Sequence, residues 1–145
     1  MPVDLQEVIG NVVDDTALEA GVRSCEIVLR LVPVLQVQGS PELLHRAMEN
    51  VLRNAIRYSP YKGVIDISAR KDGGRMRIAV ADRGPGVAPA DLDAIFAHSG
   101  PRLEGEHLGL GLAIARRVLV VHGGLISAHN RDSGGLAVEL ELPSY

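Results

Sequence analysis

From Arg75 to Ala81 the chain places Met76, Ile78 and Val80 at alternate positions, the period of a strand with one buried face. Leu136, Val138, Leu140 and Leu142 repeat that period, with Glu139 and Glu141 on the other face. Val64 to Arg70 joins the first of these runs as a hairpin around Asp72-Gly73-Gly74. Leu125 to His129 joins the second around Ser133-Gly134, and Ile27 to Val32 and Val34 to Val37 read as two strands broken at Pro33. The spacing then changes to three and four. Leu43, Leu44, Ala47, Met48, Val51, Leu52, Ala55 and Ile56 form the apolar stripe of a helix running to Tyr58, opened by Ser40 as N-cap and Pro41 in the first turn. Asp4 to Glu7 reads as a capping box before a first helix carrying Leu5, Ile9, Val12, Val13, Thr16 and Ala17. Leu110 to Val121 is a third long helix stopped by Gly123-Gly124, with His122 as a cation at its C-terminal end. Pro89 to Phe96 reads as a short helix, and His98 to His107 as a loop. Hairpins and helices with half-polar strands predict a two-layer α/β sandwich: a mixed, largely antiparallel sheet covered on one face by three helices.

Composition narrows the class. The 145 residues suit one domain over 1–145. Hydrophobic residues make up 46% and aromatics only 3%, so the core is aliphatic. A net charge of −3 argues against nucleic acid or an anionic membrane as the general partner. The single cysteine, Cys25, excludes an internal disulfide and a cysteine-based metal cage. No apolar stretch is long enough to span a bilayer, and the opening residues do not read as a signal peptide.

Three polar blocks stand out against this background. If the strand ending at Ala81 keeps its period, Asp82 points to the same inner face as Val80, where a carboxylate is unfavourable unless a donor meets it. Gly84 and Gly86 follow and let backbone approach whatever supplies that donor, such as a ligand amine; a strand-ending turn is the other reading. On the second helix, Asn50 and Asn54 lie one turn apart at the margin of the apolar stripe, and Arg57 one turn further. An Asn carbonyl suits Mg²⁺ and an Arg suits phosphate, whereas a solvated helix flank is the alternative. Gly109-Leu110-Gly111-Leu112 precedes the third helix, where exposed amides and the helix dipole favour an anion. Neither the P-loop pattern nor GxGxxG is present.

Taken together, the blocks resemble the ATP-binding domain of bacterial sensor histidine kinases, whose Bergerat fold is shared with DNA gyrase, Hsp90 and MutL. Glu49 to Ser59 resembles the N box, Asp82 to Val87 the G1 box, Ile95-Phe96 a reduced F box, and Gly109 to Ile114 the G2 box. The N box and the Gly134-Gly135-Leu136 ending are most similar to Cpx-type envelope-stress sensor kinases. The resemblance implies ATP and Mg²⁺ as cofactors. It implies that Asp82 accepts the adenine amino group, with Gly84, Gly86 and Val87 around the base and Tyr58 beside it. It further implies Asn54 as the Mg²⁺ ligand, Asn50 and Arg57 at the phosphates, and Gly109, Leu110, Gly111 and Leu112 covering them from an ATP lid spanning about 97–109. Arg102 and His107 are weaker candidates in that lid. The lid segment is short for the family, and the second Phe of the F box is missing.

Within the superfamily, members that hydrolyse ATP and the anti-sigma serine kinases carry Glu four residues before the metal Asn. Asn50 stands there in this chain, and Glu49 lies about 100° around the helix. None of His45, His98, His107, His122 and His129 is followed by the family's phosphoacceptor pattern. The resemblance therefore implies a catalytic domain that passes the ATP γ-phosphoryl group to a histidine on a separate dimerisation and phosphoacceptor domain, with a response regulator downstream. It implies a cytoplasmic domain, without direct membrane contact, of a protein held in the bacterial inner membrane. A stand-alone anti-sigma-type serine kinase and a degenerate nucleotide-binding module are the alternatives.

Overall fold

In the computed structural model the described residues are 2–33, 35–97 and 110–144. Strands β1 (Pro2–Asp4) and β3 (Gln36–Gln38) form a small antiparallel pair in which Val3 faces Val37. The main sheet has five strands: β2 (Glu26–Leu31), β4 (Val64–Asp72), β5 (Arg75–Ala81), β6 (Leu125–Asn130) and β7 (Leu136–Pro143). Their order is β2-β4-β5-β7-β6. β2 runs parallel to β4, and the remaining pairs are antiparallel. Ile65, Ile67, Met76, Ile78, Val80, Val138, Leu140 and Leu142 are buried on its inner face. The outer face carries charge, with Arg75 3.0 Å from Glu141 and Arg77 3.0 Å from Asp72. The mixed, largely antiparallel sheet read from the sequence is the sheet observed.

Helices α1 (Leu5–Asp15), α2 (Ala17–Val22), α3 (Pro41–Tyr58) and α4 (Leu110–Val121) supply the other layer. α3 buries Leu44, Ala47, Met48, Val51, Leu52, Ala55 and Ile56. Each fully buried larger aliphatic among them contributes about 1.5–3 kcal/mol, so the orientation of the polar margin of α3 follows from its apolar face. Ser40 caps α3 by accepting the Leu43 N–H at 3.2 Å, as its sequence position predicts.

Several local details differ from the sequence reading. Asp4 caps α1 by accepting the Gln6 N–H at 3.0 Å, and Glu7 makes no return bond among the described residues. The first helix breaks at Thr16, whose buried hydroxyl donates to the Val12 carbonyl at 2.9 Å, and α2 follows. Leu43 is 40% exposed, because the stripe is narrower than its apolar residues suggest. Pro89 to Phe96 forms two separate 3₁₀ turns, Pro89–Asp91 and Ala94–Phe96. His122 connects the end of α4 to the start of α3. Its Nε2 accepts the Ser40 N–H at 3.1 Å, so its proton sits on Nδ1, 2.7 Å from the Val118 carbonyl. The loop read at 98–107 and most of the lid lie outside the described residues.

Candidate functional site

The period of two in β5 carries one residue past the strand's end, and Asp82 is only 3% exposed. Its Oδ1 accepts two backbone amides, Gly84 N–H at 2.8 Å and Leu136 N–H at 3.1 Å. Oδ2 takes no protein donor among the described residues. Burial raises the Asp82 carboxyl above its ordinary value, while the Gly84 and Leu136 amides and the Arg131 guanidinium pull it back. The result is a buried acid anchored through one oxygen.

Gly84 connects this acid to α3. A Cβ at Gly84 would lie 2.3 Å from the Tyr58 carbonyl oxygen, so only glycine lets the loop rest on the last residue of the helix. One turn back along α3 lies Asn54, half-buried, and another turn back Asn50; Arg57 is exposed. The Asn50 Nδ2 is buried with no hydrogen-bond partner among the described residues. A Cβ added at Gly111, in the first turn of α4, would come within van der Waals range of the Asn50 side chain. The structure thus joins Asp82 and Gly84 to the end of α3, and Asn50 to the start of α4. The Leu112 side chain packs into the core, and Gly109, Arg102 and His107 lie outside the described residues.

Glu49 lies on a different flank. It pairs with Arg53 at 3.2 Å and with His45 at 3.7 Å, and His45 in turn meets Asp15 at 3.0 Å. Asp15, His45 and Glu49 bring three metal-capable atoms within 4.8 Å of one another, but these ion pairs already engage all three.

Residues 39–145 match the family of histidine kinase-, DNA gyrase B- and HSP90-like ATPases. This chain belongs to that family. The sensor protein PfeS of Pseudomonas aeruginosa is 40% identical over 134 residues, covering 90% of this chain and 30% of PfeS. The sensor histidine kinase CpxA of Escherichia coli K12 is 35% identical over 141 residues, covering 93% and 30%. CpxA is thus one of several similar sensor kinases. Among solved structures, the mycobacterial sensor histidine kinase MprB superposes with a TM-score of 0.90 at 30% identity, covering 99% of this chain and 97% of that one. The chain matches the part of these sensor kinases that carries the ATPase domain, and it spans about a third of the length of the curated relatives it matches.

In this ATPase-family domain the β6–β7 hairpin adds contacts that the sequence reading missed. Asp82 N–H donates to the Leu136 carbonyl at 3.0 Å, and Arg131 Nη1 donates to the Asp82 carbonyl at 2.7 Å. Gly135 has φ +99°, and a Cβ there would lie 2.0 Å from the Asp82 carbonyl oxygen. Asn130 bonds both backbone groups of Val87, accepting its N–H at 2.8 Å and donating to its carbonyl at 2.6 Å. The paired glycines at 134 and 135 were the available signal, but their partner strand was not readable from local sequence.

Proposed function

We propose that this domain binds ATP with Mg²⁺ and supplies the γ-phosphoryl group to a histidine on a separate phosphoacceptor domain. The observation that carries the reading is Asp82: a buried carboxylate with one oxygen anchored by two amides and the other without a protein donor among the described residues. Such an oxygen suits the amino group of adenine through a charge-assisted bond. Tyr58, Gly84, Gly86 and Val87 line the approach of the base. The orphaned Nδ2 of Asn50 fits an anionic oxygen, and so supports a phosphate beside α3.

Mg²⁺ fits the same margin. Asn54 offers a neutral carbonyl oxygen, a hard donor, and this ion completes its shell with water and phosphate oxygens. When bound, Mg²⁺ supplies charge neutralisation to the triphosphate. The chain's own residues do the rest: Asp82 orients the base, Asn50 and Arg57 hold the phosphates, and the Gly109–Leu112 amides cover them from the lid over about 97–109. Asn50 cannot accept a proton as a Glu would, and Glu49 is held by His45 and Arg53. Activation of water or serine is disfavoured on that ground. A histidine acceptor needs less, because imidazole is already nucleophilic.

The remaining parts of the reading concern the longer protein. The relatives are sensor proteins roughly three times the length of this chain. We place residues 1–145 as one catalytic domain, on the cytoplasmic side of an inner-membrane sensor, working with a homodimeric phosphoacceptor domain and a response regulator. Among the described residues no helix is long and apolar enough to cross a membrane.

Calorimetry with ATP, with and without Mg²⁺, tests the binding. Mg²⁺ should tighten ATP binding to the wild-type chain, and Asn54→Ala should lose about tenfold or more of that gain while still binding ATP without metal. Equal affinity with and without Mg²⁺ would overturn the metal assignment. Labelled phosphate appearing on an added histidine-bearing phosphoacceptor domain tests the transfer; ATP binding without any transfer to several such domains would count against it.

A further inference from the structure

The loop that carries the adenine acid is held at its far end by a residue on another hairpin. We propose that Asn130 is the positioning residue for base recognition, fixing the 82–87 loop so that Asp82 Oδ2 meets the 6-amino group of adenine; this rests on the reading of Asp82 given above. At the loop's entry, Asp82 is tied to Leu136 by two bonds and to Arg131 by one. At its exit, Asn130 takes both backbone groups of Val87, as a neighbouring strand residue would, although β6 ends at Asn130 itself. Both ends of the loop are therefore fixed from one short turn.

That turn is closed independently of the loop. Arg131 N–H donates to the Gly135 carbonyl at 2.8 Å, and Gly134 N–H to the Arg131 carbonyl at 3.1 Å. Gly86 sits with φ +74°, and a Cβ there would fall 2.6 Å from Asn130 Oδ1. The glycine and the amide fit as a pair: the loop turns where Asn130 stands. The position also needs an amide in particular. It must accept from an N–H and donate to a C=O at once, which a carboxylate cannot do and a longer Gln would misplace. Without Asn130, Val87 loses both partners and the loop is fixed only at Asp82. The acid remains, but its direction toward the base is no longer set. Asn130 touches no reacting atom, so its effect falls on discrimination between bases.

The test compares calorimetric Kd values for Mg-ATP and for the Mg complex of purine riboside triphosphate, which lacks the 6-amino group. Wild type should prefer ATP by about tenfold or more, the worth of one charge-assisted bond. In Asn130→Ala, ATP should weaken by about tenfold while the analogue stays within about twofold, so the preference collapses. A general loss of structure would weaken both nucleotides together and leave their ratio intact. Thermal unfolding is followed alongside, and if the Ala variant does not fold, Asn130→Asp decides. That variant keeps the acceptor for Val87 N–H, loses the donor to its carbonyl, and should also lose most of the preference. A folded variant of either kind with the wild-type preference overturns the inference. A wild type with no preference overturns the adenine reading of Asp82 instead, and the two failures are told apart by which protein shows them.

Discussion

Replacing Asp82 by Asn should separate the stability of the domain from its affinity for nucleotide. Asp82 Oδ1 accepts the Gly84 and Leu136 amides at 2.8 and 3.1 Å, and an Asn side chain keeps that oxygen. Both bonds survive, whereas Asp82→Ala would leave two amides unpaired at about 1–3 kcal/mol each. The charge is what changes. Burial raises the carboxyl of Asp82 above its ordinary value of 3.8. The folded state therefore holds that proton more tightly than the unfolded chain does. The stability this gives is complete below 3.8 and is lost as pH rises through the higher folded value. Above the raised folded value the acid is ionised and at its least favourable, so there Asp82→Asn should be at least as stable as wild type. The margin in its favour should grow as pH rises from 3.8 and then level off. Affinity should move the other way. The variant puts an NH₂ donor where Oδ2 stood, facing the adenine amino donor, and loses about 1.5–3 kcal/mol of charge-assisted bonding, or about 10- to 100-fold in Kd. Urea unfolding across pH and calorimetry with Mg-ATP read the two effects. An Asn variant less stable than wild type by more than about 1 kcal/mol at pH 7, or one with unchanged ATP affinity, would refute the reasoning.

Asn50→Ala removes from a helix a buried Nδ2 that has no partner among the described residues, so urea unfolding of the nucleotide-free chain should show no loss, or a gain of up to about 1 kcal/mol. Calorimetry should show weaker Mg-ATP binding, and a less stable variant with intact affinity would contradict the assignment. Gly135→Ala places a Cβ at φ +99° and 2.0 Å from the Asp82 carbonyl oxygen. It should cost about 3 kcal/mol, near 10 °C in Tm, and weaken nucleotide binding as well.

What the sequence revealed was local. Met76, Ile78 and Val80 alternate, and the same period delivers Asp82 to the inner face, because the pleat does not depend on what the strand pairs with. The stripe and caps of α3 are equally local, and so the margin carrying Asn50 and Asn54 was legible. β1 was not: three residues with one buried Val hold no period, and pairing with β3, more than thirty positions away, makes them a strand. Thr16 looked like one more helical position because it falls at helical spacing, yet its hydroxyl bonds back to the Val12 carbonyl where α1 ends. The contact of Asn130 with Val87 spans 43 positions and that of Leu136 with Asp82 spans 54. Asp82, Val87 and Leu136 each stood in a readable block, but nothing local in the sequence said which residue would meet which.

Two groups beside the end of α3 do the free domain no evident good: a buried carboxylate above its ordinary range and a buried amide nitrogen without a partner among the described residues. Each is unfavourable alone, and an aliphatic core of this size can tolerate both. They occur on separate elements, at the end of β5 and on the margin of α3, yet Gly84 resting on Tyr58 brings those elements into contact. Asp82 Oδ1 meets two backbone amides, and that structural role leaves Oδ2 over. Unpaired groups of opposite hydrogen-bonding sense on two adjoining elements instead call for a ligand with a donor at one end and anionic acceptors at the other, which is the pattern of adenine and its phosphates. That is why Asp82→Asn and Asn50→Ala should spare the fold and weaken binding, while Gly135→Ala, which disturbs the frame holding Asp82, should harm both.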